Sequence, residues 1–252
     1  MAVKMIKYLI ILFFVFAGCV PVGALTLSDI RTQVRIAIRD NPADTSRYRY
    51  SNTILLQFIN EGQREINNLT WACDTSQTYV LTPLTTYYAL PTDLIAVHQA
   101  YFKDRAGNLI ELEEYLQKTL YDQFPSWDKS NGSPVYYWVS SSSGTSITAS
   151  NPLQISYIPI PTRQSTGTVT IWFYNQPADL ASDSDIPFDG QAQLLPYNMA
   201  IAYHAIARIK SIEARNDEAV TYQAMYQTAV AIMKDRIGRA PNVTSGVRAG
   251  GK

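Results

Sequence analysis

Four aspartates fall within eleven residues late in the chain, and their spacing raises the question of a calcium site. They are Asp179, Asp183, Asp185 and Asp189. A calcium-binding loop needs acidic or amide side chains at alternate positions, a central glycine and a distal glutamate. Here Pro187 and Phe188 interrupt the series and no glutamate follows. We therefore expect these aspartates to form a turn and to cap a helix that begins near Gly190.

Side chains suited to acid–base or nucleophilic catalysis are few. Neither of the two histidines, His98 and His204, has the sequence context of a catalytic triad. Glu111, Glu113 and Glu114 could suggest a glycosidase, but its carboxylates must face each other across a sugar, about 5–10 Å apart. We instead expect all three at the start of one helix, where the helix dipole favours them. Because phosphate-loop and metal-ligand motifs are also missing from the sequence, we predict a non-enzymatic protein with no cofactor.

The composition predicts one domain, or one domain with a lobe, and argues against a surface that binds nucleic acid through its phosphates. The chain has 252 residues, of which 46% are hydrophobic and 17% charged, with 21 basic and 21 acidic side chains. Proteins that hold DNA by its phosphates usually carry a basic excess. A near-neutral protein is compatible with a pore through which DNA slides without sequence-specific binding. The 17 tyrosines suit half-exposed strand faces and assembly interfaces.

The N-terminal segment 1–24 is open to several interpretations. Lys4 and Lys7 precede an uncharged apolar stretch, and small residues then allow cleavage before Leu25, as in a secretory signal. A lipoprotein-type site would instead lipidate Cys19. A membrane-spanning helix is a third interpretation, although proline and glycine interrupt the apolar run. A start codon assigned too early, with translation beginning near Leu25, would also account for the segment.

Both ends of the mature chain have helical periodicity, and the middle has the period of strands. Thr26 to Asp29 reads as a capping box, and Ser51 as the N-cap of a second helix. The predicted helices cover about 27–40, 51–71, 111–124, 194–213 and 217–236. The predicted strands include 95–102, 135–140, 153–158 and 168–174.

This order predicts an α+β fold, in which a small antiparallel β lobe is inserted in the middle of a helical bundle. The bundle comprises two N-terminal and two C-terminal helices plus one short central helix. We expect the bundle over 26–72 and 190–238, the β-rich insert over 77–180, and a flexible tail over 239–252. Within the strand 135–140, Tyr136 and Trp138 should lie on one face and Tyr137 on the other. One face must pack on the helices, and the other could stack on a carbohydrate.

A series of proline and tyrosine turns lies between the helical ends. In order they read Tyr88-Ala89-Leu90-Pro91-Thr92-Asp93, Phe124-Pro125-Ser126-Trp127, Gly132-Ser133-Pro134-Val135-Tyr136-Tyr137, Ile158-Pro159-Ile160-Pro161 and Tyr174-Asn175-Gln176-Pro177-Ala178-Asp179-Leu180. With Thr26-Leu27-Ser28-Asp29-Ile30 and Phe58-Ile59-Asn60-Glu61-Gly62 in the first two helices, this order resembles the head-to-tail adaptor (connector) proteins of tailed bacteriophages. The resemblance covers roughly Thr26 to Gly238.

The resemblance implies a virion protein that forms a ring, usually of twelve copies, between the portal and the tail or nozzle. It also implies that genomic DNA passes through the ring and that the C-terminal part binds the portal. The basic residues of that part are Arg236, Arg239, Arg248 and Lys252. The signal-like N-terminus supports an alternative, which is an exported periplasmic or lipid-anchored envelope protein with an interaction or carbohydrate-binding role.

Overall fold

The structure, a computed structural model, describes residues 24–40, 48–116, 119, 122–141, 153–165 and 167–237, without the side chains of residues 128 and 141. It divides into a helical unit, formed by residues up to 69 and by 178–237, and a β unit formed by residues 70–177. The predicted α+β class is confirmed, with helices at both ends of the described chain and strands between them.

The helical unit contains four α-helices among the described residues: α1 (Leu27–Ala37), α2 (Asn52–Thr70), α3 (Asn198–Ile212) and α4 (Asn216–Ile237). Two short 3-10 helices, Phe188–Gly190 and Leu195–Tyr197, precede α3. The expected α-helix near Gly190 therefore begins later, at Asn198.

The capping box predicted for α1 is present. The Thr26 hydroxyl accepts a hydrogen bond from the Asp29 N–H, and the Asp29 carboxylate accepts one from the Thr26 N–H at 2.9 Å. The Thr26 hydroxyl also donates to the Asp29 carboxylate, and the two bonds that this carboxylate accepts from the Thr26 N–H and hydroxyl lower the pKa of Asp29. The apolar positions at helical spacing are all fully buried, which confirms the predicted core face: Leu27, Ile30, Val34 and Ile38.

Helix α2 begins with a hydrogen bond from the Ile54 N–H to the Ser51 hydroxyl, as its predicted N-cap requires. Its buried face is broader than the apolar pattern indicates, because amide side chains share it with the aliphatic ones. They are Asn60, Gln63 and Asn67. This shifts the centre of the buried face, so that Leu69, which the helical spacing of apolar residues would place on it, is 43% exposed.

The β unit has two sheets, with strand orders β1-β8-β3-β4 and β2-β7-β6-β5. All pairs are antiparallel except β5 with β6. The strands are β1 (Asp74–Val80), β2 (Tyr87–Ala89), β3 (Leu94–Lys103), β4 (Leu109–Glu111), β5 (Glu113–Glu114), β6 (Tyr136–Ser141), β7 (Leu153–Ile158) and β8 (Thr168–Asn175). Both sheets contribute to one apolar core, which includes Phe102, Tyr157 and Ile171.

The prediction of a central helix over 111–124 is wrong for the first part of that range. Residues Glu111, Glu113 and Glu114 belong to strands, and of the remainder only residues 119, 122 and 123 are described as helical. Leu112 decides the conformation, because its side chain is buried and its N–H donates to the Ala100 carbonyl at 2.8 Å. The helical spacing of leucines was misleading, since Leu116 is 64% exposed.

Candidate assembly interface

The aspartate cluster organises a turn and not a metal site. The Asp185 carboxylate accepts hydrogen bonds from the Ala181 and Ser182 N–H groups, both at 2.8 Å, and these bonds lower its pKa. Asp189 accepts a hydrogen bond from the Ala178 N–H at 3.1 Å. The predicted role in a turn is therefore confirmed, although Asp189 lies within a 3-10 helix instead of capping an α-helix.

The other two aspartates of the cluster form ion pairs with the N-terminal helices. Asp183 pairs with Arg31 of α1, and Asp179 lies 3.4 Å from Arg64 of α2. In the part of the chain that the structure describes, no three His, Cys, Asp or Glu side chains are grouped so that they could hold a metal ion.

The two histidines have structural surroundings. His98 stacks on Tyr174, with ring centroids 4.7 Å apart. His204 Nε2 lies 3.1 Å from one Glu65 oxygen, and the Tyr226 hydroxyl donates to the other at 2.8 Å. Burial and the neighbouring Glu65 carboxylate both raise the pKa of Tyr226. His204, Glu65 and Tyr226 thus connect α3, α2 and α4.

The three glutamates Glu111, Glu113 and Glu114, which could suggest a glycosidase, lie on strands. Glu113 and Glu114 are consecutive in β5, so their side chains point to opposite faces of the sheet. Their explanation by a helix dipole is wrong, since no helix begins there.

The aromatic alternation in β6 is as predicted, and it leaves no open platform for a sugar on this strand. Tyr137 joins the main core with Tyr157, whereas Trp138 packs against Trp127 in a second cluster. Tyr136 packs on the edge of that second cluster. Because Tyr137 and Trp138 are each 3% exposed, both faces of the strand are covered.

Helix α4 has an unusual surface for a solvent-facing helix. Fifteen consecutive residues, Ala219 to Met233, include no Asp, Glu, Lys or Arg. Only three side chains of the helix are buried: Tyr226, Val230 and Met233. Val220 is 68% exposed, and Ile232 is also exposed. A helix that is exposed in the isolated chain normally carries charges on its solvent face.

The uncharged surface of α4 forms one wall of a groove of about 570 Å³, and Val220 and Ala224 are among its lining residues. Its lining comes from α2, α3 and α4 and includes small side chains on both of the latter helices, such as Ala207, Ser211 and Ala219. Its charged lining residues include Glu65 and Arg208. Small residues leave room for the side chains of another helix to enter.

The predicted portal-binding residues and the predicted lipidation site fall largely outside the described residues. Arg236 is exposed in the last turn of α4. Arg239, Arg248, Lys252 and Cys19 lie outside the described residues. No helix in the described ranges is both long and apolar enough to span a membrane.

The model of a protein family, described as SU10 adaptor protein, matches residues 25–248. The chain belongs to this family. It is accordingly a structural protein of the phage adaptor kind, which confirms the resemblance seen in the sequence. Such a protein is a non-enzymatic component of the virion. No curated protein matches the chain.

Two features of this adaptor could not be found from its sequence motifs. The groove depends on how α3 and α4 pack, and single-sequence periodicity does not determine packing geometry. The exposure of α4 was also missed, because the small alanines of the two C-terminal helices indicated close packing of this pair. Its lack of charge was the available signal.

Proposed function

We propose that this adaptor assembles as a ring of twelve copies that joins the portal to the tail or nozzle and lines the DNA exit channel. The family supports the adaptor role. The observation that carries the ring is the uncharged, exposed surface of α4. Such a surface gains stability when another protein covers it, whereas a solvated surface would be expected to carry charges.

A second copy fits this surface for a geometric reason. A ring requires each subunit to use two different faces, so that one face of each copy meets the other face of the next. The groove, which has Val220 and Ala224 in its lining, supplies one of these two faces, and that face is concave. In the ring, the exposed Val220 and the neighbouring Ala224 face an adjacent subunit.

The substitution Ala224→Glu tests the subunit contact. It places a charge in the middle of the uncharged α4 surface, at a position that is exposed in the single chain. We expect monomers at concentrations at which the native chain forms rings, because burying an unpaired carboxylate is costly. Asn68→Glu, an equally exposed helical position on α2, is the matched control and should leave ring mass unchanged. Rings of normal mass from Ala224→Glu would exclude α4 as the contact.

The basic C-terminal residues are proposed to bind the portal. Every subunit of a ring would present Arg236, Arg239, Arg248 and Lys252, so that many copies together strengthen docking to the portal. Deleting Pro241 to Lys252 should leave a folded protein that fails to join portal rings. Unchanged co-assembly of the truncated protein would rule this role out.

The DNA channel follows from the ring and from charge. Equal numbers of basic and acidic side chains give a formal net charge of zero. DNA can then pass without the counterion release that drives tight binding. Weak, salt-insensitive DNA retention by purified rings is the expected result, and strongly salt-dependent binding would contradict it.

The N-terminal segment favours a second candidate, an exported or lipid-anchored envelope protein. Its basic and apolar regions have the order of a secretory signal, and Cys19 would be the lipidated residue. Intact-mass measurement of the protein, isolated both from virions and from the membrane fraction of infected cells, separates the two candidates. A virion protein that begins near Leu25 without lipid supports the adaptor, whereas a diacylated Cys19 in a membrane fraction supports the envelope protein.

A further inference from the structure

Among the residues that the structure describes, strand β1 lies at an edge of its sheet and has β8 as its one neighbouring strand. It pairs with β8 over its full length of seven residues, without a shift of register. In an antiparallel pair, alternate residues direct their N–H and C=O groups away from the partner strand. Alternate residues of β1 therefore direct their N–H and C=O groups away from β8. The side chains of residues 75–78 are all exposed.

This edge lacks the features by which natural proteins prevent strands from adding to a sheet. Such features are lysine, proline, a bulge or a very short strand. The sequence of β1, DTSQTYV, includes no lysine, proline or glycine, and its single charge is at its first residue, Asp74. By contrast, β4 at the other edge has three residues. An edge as long and as neutral as β1 favours the addition of another strand.

The arrangement of copies in a ring argues against β1 of a second copy as the added strand. Two identical edges can pair with each other only across a two-fold axis. Neighbours in a simple ring are related by a rotation about the ring axis, so that equivalent edges do not face each other, and the other described sheet edges, β2, β4 and β5, have only two or three residues with which to pair. This step rests on the proposed function, as does the identity of the partner as a virion protein.

The charge of the edge indicates what kind of segment it accepts. Residues 75–80 are uncharged, so a neutral strand can add without leaving an unpaired charge against the sheet. Side chains of Ser76, Thr78 and Val80 share one face. Val80 is 74% exposed and would be covered by an apolar side chain of the added strand.

We infer that β1 receives an extended, uncharged segment of another virion protein as a fifth strand of the sheet. Main-chain hydrogen bonds supply the affinity, and alternate side chains supply the specificity. The adaptor thereby has an attachment site on its β unit that does not use α4 or the basic C-terminal residues.

A photo-crosslinking residue at Gln77 of the full chain tests this inference. The probes are the portal protein and the tail protein from the same genome, each mixed separately with the adaptor. We expect a crosslink to one uncharged stretch of one probe, and at least about tenfold slower amide exchange over residues 75–78 in that complex. A crosslink to a second copy, to residues 239–252 of the adaptor itself, or to neither probe would overturn the inference.

The double substitution Ser76→Lys and Thr78→Lys provides the matching loss of function. Lysines on this edge should abolish the Gln77 crosslink while circular dichroism and ring mass stay those of the native protein. The control Thr53→Lys with Asn68→Lys adds the same charge to exposed positions of α2 and should keep the crosslink. A crosslink that survives the β1 lysines would exclude strand addition.

Absence of rings in the native protein would count against the proposed function, whereas the β1 site is judged by the crosslink.

Discussion

Asn60 and Leu180 form a reciprocal pair of hydrogen bonds. The Asn60 amide donates to the Leu180 carbonyl at 3.1 Å, and the Leu180 N–H donates to the Asn60 side-chain oxygen at 2.9 Å. Gln63, one turn later on α2, donates to the Ala178 carbonyl at 2.8 Å and accepts from the Phe188 N–H at 3.0 Å. Two amides of one helix thus satisfy the backbone of the segment that re-enters the helical unit.

Asn60→Ala should destabilise the protein by about 1–3 kcal/mol, because it leaves the N–H and C=O groups of Leu180 without their side-chain partner. Urea unfolding monitored by circular dichroism measures the change. Asn68→Ala removes an exposed amide from the same helix and should change the free energy of unfolding much less. Equal effects of the two substitutions would show that the Asn60 pair contributes little.

Gly62 gives His204 the space to approach α2. A Cβ atom at Gly62 would lie 2.9 Å from His204 Nδ1 and close to two further atoms of that side chain. Gly62→Ala should therefore destabilise the native protein, although alanine is favoured in a helix by about 1 kcal/mol.

A double-mutant cycle distinguishes this clash from a general effect on α2. In a His204→Ala background, Gly62→Ala should become stabilising, because only the helix propensity remains. Destabilisation in both backgrounds would contradict the close-contact explanation. Thermal unfolding of the four proteins provides the data.

Asp40 forms a buried ion pair at the end of α1. Its carboxylate lies 3.1 Å from Arg35, and both side chains are almost completely buried. Burial lowers the pKa of Arg35. Asp40→Asn should cost about 3 kcal/mol, because the Arg35 charge loses its buried partner.

The exposed pair of Asp179 with Arg64 is the matched control for Asp40. Asp179→Asn removes one charge from that solvent-exposed pair and should cost less than about 1 kcal/mol. Chemical denaturation of both variants gives the comparison. Similar losses from the two substitutions would mean that burial does not determine the strength of these pairs.

Alkaline pH should destabilise the β unit through its buried tyrosines. Burial raises the pKa of Tyr79 to about 12 from its ordinary value near 10, and burial also raises the pKa of Tyr137 and Tyr157. The unfolded chain then releases protons at lower pH than the folded one. The stability is fully present below pH 10 and is lost as pH rises toward the folded pKa.

Tyr79→Phe should reduce the slope of unfolding free energy against pH between about 10 and 12. At pH 7 it should also cost stability, because the Tyr79 hydroxyl donates to the Ala89 carbonyl at 3.0 Å. Thermal melts across this pH range measure both effects. A slope equal to that of the native protein would place the alkaline sensitivity elsewhere.

Local signals of the sequence were sufficient for much of the fold. Capping chemistry and apolar spacing predicted α1, and alternation predicted the opposite faces of Tyr137 and Trp138. The prediction for the β4–β5 region failed because Leu112 and Leu116 have helical spacing, whereas the pairing of β4 with β3 and of β5 with β6 determines the conformation. The pairing of β5 with β6 joins residues that are distant in sequence, and it leaves no mark in the local period.

The candidate interface was harder to predict because it depends on what the fold leaves uncovered. Asn60 lies in one of the motifs of the sequence, but the sequence does not reveal its hydrogen-bond partner Leu180, which is far away along the chain. Phe188 has a positive φ of 56°, which a bulky residue rarely adopts and which its sequence context does not reveal. The lack of charge in α4 could be read directly, but its significance became clear only when most of the helix proved to be exposed.

The most direct test of the adaptor ring combines mass photometry with negative-stain imaging of the full chain, alone and mixed with portal protein from the same genome. We expect ring particles, or portal rings that gain mass in a fixed ratio. A monomer that does not associate with the portal would contradict the proposed adaptor ring.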